Sequence, residues 1–223
     1  KPPVTPEAAD YLVVESTYGD REHLNSDPLQ RLAEVITHTA ARGGVVLIPA
    51  FAVGRAQALL YAIHRLKVQG LIPPLPVYLN SPMAARATEV YLRHPEQLRL
   101  SHGECLAMVK ETIFIETPEQ SRALNARRGP MVIVAASGMA TGGRVVHHLK
   151  AFAPDARHTI LLAGYQAGGT RGAALASGAD HLRIFGEDIP VRAEIARMDQ
   201  LSAHADASEI LDWLRALPHP PRR

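Results

Sequence analysis

The sequence predicts an α/β protein with a doubly wound, mainly parallel β-sheet, flanked by further strands and a C-terminal helix. Three observations favour this class. Short runs of aliphatic and β-branched residues alternate with segments whose apolar residues recur at helical spacing. Loops rich in Gly, Pro, Ser or Asn separate them, as expected at the ligand-binding edge of a parallel sheet. Of 223 residues, 47% are hydrophobic and 21% charged, which suffices for a sizeable core.

The first two thirds of the chain read as repeated strand–loop–helix units. Residues 11–15 predict a short buried strand that ends at Glu15, followed by turn residues. Asp27 and Pro28 predict the start of a helix, which Gly43 ends. Further strands, each with a helix after its loop, are predicted at residues 45–48, 77–79, 131–135 and 159–163.

The remaining segments carry weaker or different patterns. Residues 92–128 are interpreted as a connector with helices at 103–109 and 118–126 and a short strand at 112–115. After Gly178, residues 182–185 and 191–198 alternate apolar and polar side chains around a turn, which predicts an antiparallel hairpin. A final helix is predicted from about Asp206 to Pro218.

Composition limits the classes of function. A single cysteine, Cys105, excludes an internal disulfide and a cysteine-based zinc cluster. No apolar run reaches the roughly 18 to 20 residues that span a bilayer, and the first residues do not resemble a signal peptide, so we expect a cytoplasmic protein with no membrane partner. The net charge of +2 does not by itself indicate nucleic-acid binding.

Glu15 and His204 are the candidate acid–base pair. Glu15 ends an apolar run, and His204 lies on a loop just before a predicted helix. If folding brings them together, the carboxylate would orient the imidazole and keep it protonated, as a general acid requires. Taken singly, each has an ordinary alternative, a surface glutamate and an unremarkable polar histidine.

A glycine-rich loop precedes the helix that begins near Arg144. Its backbone N–H groups could hold a phosphate, with a tight turn that needs glycine as the alternative. The loop lacks the Lys-Ser/Thr ending of a P-loop and the dinucleotide fingerprint. Arg55 and Arg144, in the first turns of their helices, are candidates for contact with backbone phosphates, and solvated arginines or salt bridges are the alternative. His147 and His148, adjacent on a helix, point apart and are not expected to chelate one metal.

Three strings together resemble the β-CASP branch of the metallo-β-lactamase superfamily, the nucleases that process RNA 3′ ends or degrade RNA and DNA. They are Glu-Ser-Thr-Tyr-Gly at 15–19, Ser-Gly-Met-Ala-Thr-Gly-Gly-Arg at 137–144 and Ser-Ala-His-Ala-Asp at 202–206. The resemblance implies zinc-dependent hydrolysis in which His204, steadied by Glu15, protonates the departing 3′ oxygen. The resemblance favours a substrate-facing role for the glycine-rich loop and a phosphate contact for Ser202, so the candidate substrate contacts, with the two arginines, are Ser202, Ser137, Gly138, Met139, Gly142, Gly143, Arg144 and Arg55.

The resemblance further implies a domain order and a cofactor. Residues 21–178 would form the β-CASP domain, inserted between metallo-β-lactamase segments at 1–20 and 179–223. The family binds two zinc ions through His-x-His-x-Asp-His and further ligands, and this string does not occur in the sequence. We therefore expect a fragment of a longer zinc enzyme, with no metal ligand of its own and no activity alone. Exposed apolar surface on the flanks, relieved by self-association such as a homodimer, is a further expectation.

The expected partner is single-stranded RNA, with DNA as the alternative within the family. Two other functions stay open on the sequence. One is a non-catalytic nucleic-acid-binding or scaffold subunit, which the residues preceding this segment would identify. The other is a phosphate-binding module unrelated to nucleases, which would leave the joint presence of Glu15 and His204 unexplained.

Overall fold

The computed structural model describes residues 3–23, 27–198 and 204–222. The chain divides into two compact units, one formed by Asp27–Leu201 and the other by Lys1–Ser26 together with Ser202–Arg223. The predicted residue Ser202 lies outside the described residues. The larger unit carries the β-sheet and the smaller unit carries Glu15 and His204.

The strands of the described chain lie in the larger unit. They are β1 (Val45–Pro49), β2 (Val77–Asn80), β3 (Thr112–Phe114), β4 (Met131–Ala135), β5 (Thr159–Leu162), β6 (His181–Ile184), β7 (Glu187–Pro190) and β8 (Glu194–Arg197). Six form one sheet in the order β3-β2-β4-β1-β5-β8, with parallel pairing throughout, and β6 and β7 form an antiparallel hairpin. The predicted fold class is therefore confirmed.

The helices begin close to where capping residues predict. They are α1 (Pro28–Ala41), α2 (Arg55–Val68), α3 (Pro82–Arg93), α4 (His102–Glu111), α5 (Pro118–Ala126), α6 (Arg144–Phe152), α7 (Arg171–Ala176) and α8 (Ala207–Arg215). Asp27 and Asp206 cap α1 and α8 by accepting backbone N–H groups, as their positions predicted. Within the described ranges, no helix combines the length and apolar character needed to cross a bilayer.

Helices cover both faces of the sheet. On one face, α1, α2 and α4 pack their apolar residues against alternate residues of the strands, such as Ile48 and Val134. On the other face, α5, α6, α7 and the β6–β7 hairpin pack against Leu47 and Ile133. Because both faces are covered, β1 and β4 are buried along their whole length, which explains their continuous apolar runs.

Three details differ from the sequence predictions. Residues 11–15 form no strand among the described residues, because an apolar run needs a hydrogen-bonded neighbour to become one, and Val13 is 98% exposed. The segment interpreted as a connector does more than connect, because its predicted short strand is present as β3 and forms the edge of the sheet. The hairpin is formed by β6 and β7, because a two-residue turn places Glu187 opposite Ile184, whereas β8 pairs in parallel with β5.

The loops after β1 and β4 lie at the point in the sheet where successive connections begin to run to opposite sides. From β1 the chain crosses to β2 on one side, and from β4 it crosses to β5 on the other. The two loops touch, since a Cβ on Gly138 would lie 2.9 Å from the Phe51 ring. In open parallel sheets such a reversal leaves a crevice beyond the strand ends, where ligands bind. The loops at residues 50–54 and 136–143 therefore mark the expected ligand crevice of the larger unit.

Candidate functional site

Glu15 and His204 meet in the smaller unit. Glu15 Oε2 lies 3.1 Å from His204 Nδ1, and both side chains are about half-exposed. The approach predicted from the sequence is thus confirmed. The Thr17 N–H also donates to Oε2, over 3.1 Å, and this bond is the main reason that the pKa of Glu15 is lowered. An ionised carboxylate can only accept, so His204 Nδ1–H is the donor of the pair.

The backbone around the pair is fixed by contacts between two distant segments. His23 Nε2–H donates to the His204 carbonyl oxygen over 2.9 Å, and the His23 backbone N–H donates to Asp206 Oδ2 over 2.9 Å. The buried Tyr18 ring lies 6.0 Å from the His204 ring. Sequence reasoning identified Asp206 only as a helix cap and missed His23, because its partners lie more than 180 residues away and leave no local pattern.

Asp206 joins this network to the start of α8. Its Oδ1 accepts the Glu209 N–H over 2.9 Å, and the N–H groups of Glu209 and His23 lower the pKa of Asp206 to about 2. The carboxylate is therefore ionised throughout the neutral and mildly acidic range. One side chain thus caps α8 and ties the segment after His204 to the segment after Glu15.

His23, Asp206 and Glu209 are the described residues whose ligand atoms lie close enough together to suggest a metal site. Several of the atoms that could bind a metal already take part in hydrogen bonds. Asp206 uses both oxygens to accept N–H groups, His23 Nε2 donates to a carbonyl, and Glu209 Oε2 accepts the Asp206 N–H over 3.1 Å. A zinc ion needs a deprotonated imidazole nitrogen and available carboxylate oxygens. This cluster therefore does not fit a zinc site.

The loop before α6 is held by its own side chain. Ser137 Oγ accepts the N–H groups of Thr141 over 3.2 Å and Gly142 over 3.4 Å. The hydroxyl thus engages N–H groups that a phosphate cradle would use, and the predicted substrate roles of Ser137 and Gly142 stay predictions. The alternative interpretation, a tight turn that needs glycine, fits Gly143 because its φ is +76°. The predicted substrate roles of Gly138 and Met139 stay predictions.

Gly143→Ala is expected to lower the free energy of unfolding by about 1–3 kcal/mol. The new Cβ would lie 2.7 Å from the Ala136 carbonyl oxygen, at a φ and ψ that only glycine adopts readily. Gly142→Ala is the matched control, because no atom lies within 4 Å of its Cβ. Urea unfolding of both variants measures the difference, and equal stabilities would contradict the backbone argument.

Arg144 forms hydrogen bonds that connect three elements of the fold. Its Nη1 donates to Asn80 Oδ1 over 2.8 Å and to the Ile115 carbonyl over 2.7 Å, and its Nη2 donates to the Glu116 carbonyl over 2.6 Å. These bonds join the ends of β2 and β3 to the start of α6, and the predicted phosphate contact of Arg144 stays a prediction for its remaining N–H groups. Arg55, at the first position of α2, stays a candidate for phosphate contact.

His148 is a buried neutral histidine. Its Nδ1 lies 2.6 Å from Asn125 Oδ1, which only accepts, and its Nε2 lies 2.5 Å from Asn80 Nδ2, which only donates. Both ring nitrogens are therefore hydrogen-bonded, and the expectation that His148 is not a metal ligand stays a prediction. Burial is the main cause that lowers the pKa of His148 from 6.5 to about 4.

The stability of the chain is expected to fall between pH 6.5 and pH 4 because of His148. Below pH 6.5 the unfolded state binds a proton on this ring that the folded state does not bind until about pH 4. The loss amounts to about 3 kcal/mol. Urea unfolding across this range should show a flatter profile for His148→Gln and an unchanged profile for His102→Ala, an exposed histidine that does not contribute to the lowered pKa of His148. Parallel profiles for all three proteins would refute the assignment.

Two known protein families match the chain. The Beta-Casp domain matches residues 56–175, and the Zn-dependent metallo-hydrolase RNA specificity domain matches residues 188–221. Ribonuclease TTHA0252 of Thermus thermophilus is 39% identical over 97% of this chain and 51% of its own length. The RNase J-like protein of Methanocaldococcus jannaschii is 33% identical over 95% of this chain and 50% of its own length.

Transcription termination factor FttA of Thermococcus kodakarensis is also similar, with 36% identity over 95% of this chain and 35% of that protein. The chain thus spans about half the length, or less, of these curated relatives.

Proposed function

Because the chain belongs to the β-CASP family of metallo-β-lactamase-fold nucleases, we propose that it is the RNA-specificity portion of a zinc-dependent ribonuclease. Its substrate would be a phosphodiester bond of single-stranded RNA. The match to an RNA specificity domain and the ribonuclease among the relatives support RNA over DNA. The observation that carries the proposal is the 3.1 Å contact between Glu15 and His204, which joins residues 189 positions apart.

The geometry supports His204 as the general acid and Glu15 as the residue that positions it. Glu15 is fixed by the Thr17 N–H and accepts the proton on Nδ1, which sets the orientation of the ring. The proton on Nε2 is then the one that the ring transfers. As an oxygen from water bonds to phosphorus and the bond between phosphorus and the 3′ oxygen breaks, this proton passes to the 3′ oxygen, which leaves a 3′ hydroxyl on one product and a 5′ phosphate on the other.

The crevice of the larger unit supplies the surface for RNA. Phe51 and Val53 after β1, and Met83 after β2, are exposed apolar side chains beyond the strand ends. Exposed aromatic and apolar side chains stack unpaired bases, and an arginine such as Arg55 pairs with backbone phosphate. This combination suits a single strand better than a duplex.

We propose that zinc is bound by residues that this sequence does not contain. The string His-x-His-x-Asp-His is absent from the 223 residues, and the His23, Asp206 and Glu209 cluster does not fit the ion. The experiment is a cleavage assay on labelled single-stranded RNA, with this chain alone and joined to a metallo-β-lactamase segment that carries the string. Cleavage that requires both the segment and His204 is expected. RNA binding without cleavage by the joined protein would favour a non-catalytic subunit.

A further inference from the structure

A cavity of about 290 Å³ opens at the start of α6, beside the β6–β7 hairpin. Its lining combines an aromatic ring, an imidazole and two guanidinium groups: Phe185, His147, Arg144 and Arg171, with Thr141 and Gly142 between them. The cavity lies within the larger unit, next to the loop that follows β4. Its lining residues belong to the larger unit, whereas Glu15 and His204 belong to the smaller unit.

Phe185 occupies a position that the fold does not explain. It is the first residue of the two-residue turn between β6 and β7, with a φ of +50°, and Gly186 follows with a φ of +84°. Turns of this kind favour Asn or Asp before glycine, and a bulky side chain at positive φ is strained. The ring is also 58% exposed, so burial does not compensate for the strain. Neither turn chemistry nor core packing therefore accounts for an aromatic residue here.

The Phe185 ring is held in place by His147. The two ring centroids are 4.8 Å apart, with an interplanar angle of 34°. His147 projects from α6, so a regular element supports the exposed ring. A nucleobase fits within the cavity volume and can stack on either ring, because every base has an aromatic face.

Arg171 gives the same cavity a positive rim. Its Nε donates to the Arg183 carbonyl over 2.9 Å, and its Nη1 lies 3.3 Å from the carbonyls of Ala140 and Thr141. The guanidinium group is thus preorganised, with Nη2 available to a phosphate oxygen. Within the described part of the chain, the lining residues include two arginines and no carboxylate, and the nearby Glu187 is paired with Lys150 at 2.6 Å.

We propose that this cavity is a nucleotide subsite for single-stranded RNA, in which a base stacks on Phe185 and the adjoining phosphate pairs with Arg171. The inference rests on the proposed function and extends it, since it names a contact for one nucleotide of the strand. A subsite of this kind would hold the strand without sequence preference, because stacking and phosphate pairing do not read base edges.

The test is fluorescence anisotropy of a labelled single-stranded oligoribonucleotide titrated with the 223-residue chain. Phe185→Ala should weaken binding by roughly 5- to 30-fold, the effect of losing one base–aromatic stack. The slope of log affinity against log salt should not change, because a base stack releases no counterions. Phe185→Trp should retain the affinity. Leu71→Ala, at a residue 57% exposed between α2 and β2, is the control and should bind as the unaltered chain does.

A variant at the same position separates binding from folding. Phe185→Asn should raise the stability of the chain, because Asn tolerates positive φ, and should still weaken RNA binding. RNA affinity that is unchanged in Phe185→Ala and Phe185→Asn would overturn the subsite and leave the proposed function intact. An unaltered chain that binds no RNA at 50 mM salt would overturn the RNA assignment together with the subsite.

Discussion

His204→Ala is expected to lower kcat for RNA cleavage by roughly 10²- to 10⁴-fold while leaving the affinity for RNA largely unchanged. The assay uses the zinc-loaded protein that joins this chain to a metallo-β-lactamase segment. The affected step is proton delivery to the leaving 3′ oxygen, which exists only in the transition state. Binding depends on phosphate and base contacts elsewhere, so an effect confined to kcat distinguishes a general acid from a substrate-binding residue.

Two further variants provide a control for this prediction and test the role of Glu15. His219→Ala removes another exposed histidine of the smaller unit and should leave kcat unchanged. Glu15→Gln keeps an oxygen that can accept the Nδ1–H but removes the charge, so a smaller loss in kcat at constant KM is expected for a positioning residue. A wild-type rate in His204→Ala would remove this histidine from the mechanism.

The 223-residue chain alone is expected to retain no stoichiometric zinc and to cleave no RNA. A hydrolytic zinc site needs several histidine and carboxylate ligands held at fixed distances. In the one candidate cluster among the described residues, carboxylate oxygens already accept backbone N–H groups around α8. Weak, salt-sensitive RNA binding is expected to survive, because phosphate contacts do not require the metal.

The measurement is metal content after dialysis, followed by incubation with labelled RNA and added zinc. The joined protein serves as the positive control for both zinc and cleavage. Stoichiometric zinc in the isolated chain, together with cleavage that a chelator abolishes, would show that the active site is misplaced.

Much of the fold follows from local signals in the sequence. Asp27 and Asp206 lie where their side chains cap helices, and the apolar runs of β1 and β4 lie in the centre of the sheet. The pairing of β8 with β5 could not be predicted in this way. Its alternating pattern fits any half-buried strand, and only the short turn at Phe185 and Gly186 shows that the hairpin is already complete without it.

Motifs in the sequence predicted which residues form the candidate site, but they did not predict the geometry of the site. The strings around Glu15 and His204 indicated the pair, but their contact spans 189 positions and no spacing rule reveals it. His23 was missed for the same reason. Arg144 was predicted to contact phosphate, and nothing in the sequence indicated that its guanidinium group also donates to Asn80 and two carbonyls. Which partner an arginine finds depends on tertiary structure.

The most direct test of the central claim replaces the leaving atom of the substrate. RNA with sulfur in place of the bridging 3′ oxygen at the cleaved bond releases a thiolate, which is far less basic than an alkoxide and leaves without a proton. If His204 protonates the leaving oxygen, His204→Ala should slow cleavage of normal RNA by roughly 10²-fold or more and of the sulfur substrate by less than about 10-fold. An equal loss on both substrates would contradict the account.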